Sequence, residues 1–190
     1  MAQTTQQDVN AVDMLKKDHQ TVADLFNQFE RAGTGDRQAI ATQIFNELTI
    51  HAGLEEEIFY PAVREQIDFN DVLEDEEVDE AEASTEEEDE DEEELDEETE
   101  TDASDDSDDI IAVSYEEHQI VKDLIEELKA MDAQSNDYAT RFAELKEAVL
   151  DHVSEEEELI FPAARLKLDL NALGDQMQQR RIALASSMAA

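Results

Sequence analysis

Residues 51–61 read HAGLEEEIFYP: one histidine, three consecutive glutamates, an apolar run and a proline. An α-helix advances about 100° per residue, so the three glutamates point in different directions. Glu55 follows His51 by four residues and shares its helix face. Glu56 and Glu57 rotate away from that face and are expected in solvent. The pair belongs to a longer stripe: Ile40, Ile44, Leu48, His51, Glu55, Ile58 and Ala62 recur at steps of three and four. That spacing is one face of an amphipathic helix.

The motif has a copy. HAGLEEEIFYPAVR (51–64) aligns without a gap to HVSEEEELIFPAAR (152–165), with ten of 14 positions identical or similar. The second stripe runs Phe142, Leu145, Val149, His152, Glu156, Leu159, Ala163 and Leu166. Each motif is preceded by another helical stripe with its own histidine. Val12, Leu15, His19, Val22, Phe26 and Phe29 form one; His118, Val121, Ile125 and Leu128 form the other. His19 lies 32 residues before His51, and His118 lies 34 before His152.

Four amphipathic helices with short turns inside each pair predict an all-α, antiparallel up-down four-helix bundle. Turn signals sit at Gly33–Gly35 and at Ser135–Asp137, and Asp36 and Ser114 are the expected N-caps of the second and third helices. The hairpins should occupy residues 1–73 and 110–168, with a short helix and tail over 169–190. Pro61 and Pro162 end the two motifs, and each lacks the N–H that would pair with the carbonyl four residues earlier. A local loosening of the helix, or its end, is expected there.

Between the hairpins the composition changes abruptly. Of the chain's 54 Asp and Glu, 25 lie in the 36 residues from Glu74 to Asp109, without one Lys or Arg. The remaining 29 acids face 13 Lys and Arg, so the rest of the chain is also acidic. Residues 74–109 have almost no apolar surface to bury and a dense charge of one sign, which predicts a disordered insert. It would serve solubility, collect cations or contact a basic protein partner, and Ser84, Ser104 and Ser107 lie within kinase-like acidic surroundings. A formal net charge of −41 argues against nucleic acid and anionic membrane surfaces as partners. MAQTTQQDVN lacks the basic and apolar regions of a signal peptide, and no apolar run approaches a membrane span, so a cytoplasmic protein is expected. The absence of cysteine excludes disulfides and thiolate chemistry.

All four histidines therefore sit on core-facing stripes, one per long helix, and two are followed at four residues by a glutamate on the same stripe. A buried carboxylate needs a positive partner, and no Lys or Arg lies on these stripes near the pair. The candidate ligands are His19, His51, Glu55, His118, His152 and Glu156. This nitrogen and oxygen set fits two first-row metal ions, iron ahead of manganese, better than structural zinc, calcium or magnesium. Glu55 and Glu156 would bridge, with two histidines on each ion. Tyr115, one turn before His118, is a candidate donor to the open site or a core residue.

His19, His51-x-x-x-Glu55, His118 and His152-x-x-x-Glu156, with the two H-x-x-x-E-E-x-x-x-(Y/F)-P motifs, resemble the hemerythrin-like proteins and their HHE cation-binding domain. The resemblance covers about residues 10–66 and 112–167. It implies a helical bundle enclosing a non-haem di-iron site that interacts with O2, peroxide or NO, or an iron store or donor that includes iron–sulfur repair. Oxygen-carrying hemerythrins use five histidines; this chain has the four-histidine, two-carboxylate set, similar to the repair branch. A scaffold acting through the acidic stretch is the third functional class.

Overall fold

The computed structural model describes residues 10–69 and 106–188, and no strand occurs among them. The fold is all-helical. Helix α1 (Ala11–Arg31) and α2 (Thr34–Leu54) form one hairpin, and α2 runs through a π-helical turn (Glu55–Phe59) into α3 (Tyr60–Gln66). Helix α4 (Asp106–Ala130) and α5 (Asn136–Glu155) form the other, and α5 runs through a π-helical turn (Glu156–Ile160) into α6 (Phe161–Lys167). Helix α7 (Leu170–Met188) follows. The acidic stretch from residue 74 to 105, with Ser84 and Ser104, lies outside the described residues.

Side-chain caps set the starts of α1 and α5. The Asn10 side chain accepts from the amides of Val12 and Asp13 at 3.0 and 3.3 Å, capping α1. Ser135 accepts from the Tyr138 amide at 3.1 Å and caps α5. The two expected caps, Asp36 and Ser114, are not caps. Helix α2 starts at Thr34 after Gly33, which puts Asp36 in the first turn, where its charge favours the helix N-terminus. Helix α4 starts at Asp106, so Ser114 is inside it and donates to the Ile110 carbonyl at 3.1 Å.

The interior has two apolar cores. One takes Val22, Phe26 and Phe29 of α1, Ile44 and Leu48 of α2, Val121 and Leu128 of α4, and Phe142 and Leu145 of α5. The other takes Leu15 of α1, Leu54 of α2, Phe59 and Tyr60, Ile160 and Phe161, and Met177 of α7. Between them, in chain order on every long helix, comes the buried polar layer of His19, His51, Glu55, His118, His152 and Glu156.

The helices continue past both prolines, so the loosening occurs and the helix end does not. A π turn inserts one extra residue and moves everything after it by one position. The Tyr60 amide pairs with the Glu55 carbonyl and the Phe161 amide with that of Glu156, five residues back. The apolar stripe shifts accordingly. Ile58 and Ala62 were expected inside, but Phe59, Tyr60 and Val63 are the fully buried residues. Leu159 and Leu166 are 43% and 76% exposed, whereas Ile160, Phe161 and Ala164 are buried.

Candidate metal centre

All six residues singled out from their helical phase meet in the polar layer. Ligand atoms of His19, His51, Glu55 and Glu156 lie within 4.8 Å of one another, and so do those of Glu55, His118 and His152. The histidines form two pairs. His19 Nε2 is 3.2 Å from His51 Nε2, and His118 Nε2 is 3.1 Å from His152 Nε2. The glutamates span the pairs. Glu55 Oε2 is 3.1 Å from His51 Nε2 and 3.4 Å from His118 Nε2. Glu156 Oε2 is 3.6 Å from His152 Nε2 and 3.3 Å from His19 Nε2.

The far side of three of the four rings is held by an acid that helical phase alone did not single out. His19 Nδ1 lies 2.9 Å from Glu157, His118 Nδ1 2.9 Å from Glu56, and His152 Nδ1 2.8 Å from Glu117. His51 Nδ1 has Asp18 at 3.5 Å. Glu56 is therefore not part of the solvated surface: it binds His118 and also accepts from Lys122 at 2.5 and 2.8 Å. Glu157 is its counterpart in the repeat, paired with Lys16 at 2.8 Å. The widened π turn swings Glu56 and Glu157 toward the opposite hairpin. Glu57 does face outward, accepting from Arg180 at 2.6 and 2.7 Å. The sequence signal for this outer ring was the repeat itself: an acid precedes His19 and His118, and an acid follows Glu55 and Glu156.

These partners favour one tautomer for His19, His118 and His152. An ionised carboxylate only accepts, so the proton sits on Nδ1 and Nε2 keeps its lone pair. His118 and His152 then aim two lone pairs at each other across 3.1 Å, with the Glu55 carboxylate beside them. An added proton or a metal cation among the nitrogens and oxygens relieves that arrangement. Both oxygens of Glu55 and Oε2 of Glu156 are buried without a hydrogen-bond donor. Burial pushes the Glu55 carboxyl well above the ordinary carboxylate range, and the Glu156 charge adds to it. Burial opposes the Glu156 charge too, yet His19 and the other rings outweigh it and bring that carboxyl to about 2. Burial lowers His51 to about 4, which keeps it neutral as a ligand must be. The donor set fits a metal ion by charge, atom type and geometry.

Tyr60, not Tyr115, reaches the centre. Its hydroxyl donates to Glu156 Oε1 at 2.8 Å and lies 3.4 Å from His118 Nε2. Tyr115 instead donates to the backbone carbonyl of Glu56 at 3.1 Å. The π turn explains why: the Tyr60 amide has gone to Glu55, and Pro61 has no N–H to offer Glu56. Toward the hairpin turns the centre faces an apolar cavity of about 20 Å³, walled by Val22, Leu48, Val121, Val149 and Val153 together with the four histidines. An outer recess of about 160 Å³ between α1 and α5, edged by Lys16, Gln20 and Glu157, shares His19, Val22, Val149 and Val153 with it.

Comparison with known proteins agrees with this geometry. The family model described as hemerythrin HHE cation binding domain matches residues 10–114, 88–164 and 109–181. A protein of Nostoc sp. named DNA nickase is 28% identical over 163 residues, which is 85% of this chain and 35% of that protein. This chain thus spans about a third of that relative. A crystal structure of a hemerythrin HHE cation binding domain-containing protein from Mycobacterium kansasii superposes with a TM-score of 0.63 at 21% identity, covering 94% of this chain and 89% of that one. That likeness concerns the fold. Among the described residues no helix is long and apolar enough to cross a membrane.

Proposed function

Because the chain belongs to the hemerythrin HHE cation-binding family, we propose that it is a non-haem di-iron protein whose centre interacts with O2, peroxide or NO. The observation that carries this reading is the convergence of four Nε2 atoms on two buried carboxylates that each span both histidine pairs. His19 and His51 would hold one ion and His118 and His152 the other, with Glu55 and Glu156 between them. Two irons held there would supply one-electron redox chemistry and open positions for a small ligand.

The chain's own residues prepare the site. Glu157, Glu56 and Glu117 orient the rings and strengthen them as donors. Tyr60 keeps a proton at Oη beside Glu156. The valine wall excludes bulk water, and a cavity of about 20 Å³ has room for one water-sized molecule, which selects diatomics and peroxide over larger substrates.

Iron donation is the second reading, favoured by the longer His51–Asp18 contact of 3.5 Å, which leaves one metal position less supported than the other. The nicking activity named for the Nostoc relative does not come with the match: this chain spans 35% of that protein and carries a net charge of −41, which repels phosphate.

Metal analysis and optical spectra of the reduced protein before and after air, peroxide and NO test the proposal. Two irons per chain and an oxo-bridge charge-transfer band after air are expected. A folded chain that takes up no iron refutes it.

A further inference from the structure

Three of the four imidazoles have a carboxylate at 2.8–2.9 Å behind them, and His51 does not. The repeat makes this an exception that needs a cause, because Asp18 occupies the position of Glu117. Two causes are visible. Aspartate is one methylene shorter than glutamate. Asp18 is also taken by Arg181 of α7, which donates Nη1 to Oδ1 at 3.0 Å and Nη2 to Oδ2. His51 Nδ1 is left buried without a hydrogen-bond acceptor.

Helix α7 is what breaks the twofold plan. It packs on α1, α2 and the first π turn, and among the described residues the second repeat has no such cover. The seat is close. A Cβ on Gly53, in the turn between His51 and Glu55, would stand 3.1 Å from Leu184. The equivalent residue is Ser154, whose hydroxyl donates to Glu158 at 2.9 Å. Arg180 ties the same helix to Glu57 through two hydrogen bonds.

We propose that α7, through Arg181 as a positioning residue, makes the metal position at His19 and His51 the weaker and more readily emptied of the two. This rests on the reading that the centre holds two ions. A ligand imidazole is a better donor, and better oriented, when its other nitrogen donates to a carboxylate. Losing such a partner costs about 10–100-fold in metal affinity. Arg181 draws the Asp18 carboxylate away from His51, so one position is built with that handicap and the other without it.

The test is an anaerobic Co2+ titration of the metal-free full chain against a competing chelator, followed by optical absorption. Wild type should load in two steps whose constants differ by about 10–100-fold. Arg181→Gln should raise the weaker constant by about tenfold and leave the tighter one unchanged, because Asp18 becomes free to accept from His51. Glu117→Gln should lower the tighter constant instead. In the Co2+ form, slow exchange of the His51 ring N–H should appear only in the Arg181 variant, a signal that looser packing of α7 would not produce. Circular dichroism checks that the variant keeps its helices, and Leu184 and the Arg180–Glu57 pair still seat α7. Two equal constants in wild type overturn the inference, as does an Arg181→Gln variant whose weaker constant is unchanged or lower. A chain that binds no Co2+ overturns the dimetal reading itself.

Discussion

Replacing Glu56 by Gln tests the step where helical phase and tertiary structure part company. The Glu56 carboxylate accepts from His118 Nδ1 at 2.9 Å and from Lys122, and its side chain is only 22% exposed. Glutamine keeps the shape and removes the charge, so His118 exchanges a charged acceptor for a weaker neutral one. The expected cost is about 10–100-fold in metal affinity, or about 1.4–2.7 kcal/mol. The fold should lose about 1 kcal/mol or less, since Lys122 is 42% exposed and the ion pair is screened. Glu157→Gln should behave alike, because Glu157 holds His19 at the same 2.9 Å. Glu57→Ala breaks only the surface contact with Arg180 and should leave metal binding untouched. The assay is chelator competition on the metal-free proteins, paired with urea unfolding. Equal metal affinities for wild type, Glu56→Gln and Glu57→Ala would refute the assignment of Glu56 to the site.

Glu55→Gln should abolish loading of the dimetal centre while stabilising the metal-free chain. The folded-state pKa of Glu55 lies above its ordinary 4.5, so the parent loses stability as pH rises beyond that value and the variant does not. Denaturant midpoints of the two metal-free proteins should therefore diverge from acid to neutral pH, and parallel profiles would contradict this. Tyr60→Phe removes the donor to buried Glu156 and should alter the optical spectrum of the loaded protein at a stability cost of about 1–3 kcal/mol. Tyr115→Phe leaves only the Glu56 carbonyl short of a partner, so it should lower stability by about 1 kcal/mol without changing metal affinity. Val149→Phe narrows the cavity beside the histidines and should slow NO binding in stopped-flow measurements at unchanged iron content.

Periodicity alone specified a good deal here. The spacing of apolar residues at three and four, repeated in both halves, determines helices whose inner faces carry His19, His51, His118 and His152. The four-residue step determines that Glu55 and Glu156 travel with their histidines. These are local facts, since a regular helix carries its phase along the chain. The same reasoning misplaced Ile58, Leu159 and Glu56, because a π turn adds a residue and resets the phase after it. The prolines marked where that happens without saying how far the register moves. The placement of Glu56 and Glu157 behind His118 and His19, the choice of Tyr60 over Tyr115 and the grip of Arg181 on Asp18 all join residues from 58 to 163 positions apart. Only packing of one hairpin against the other, with α7 laid across one half, brings such groups within hydrogen-bond range.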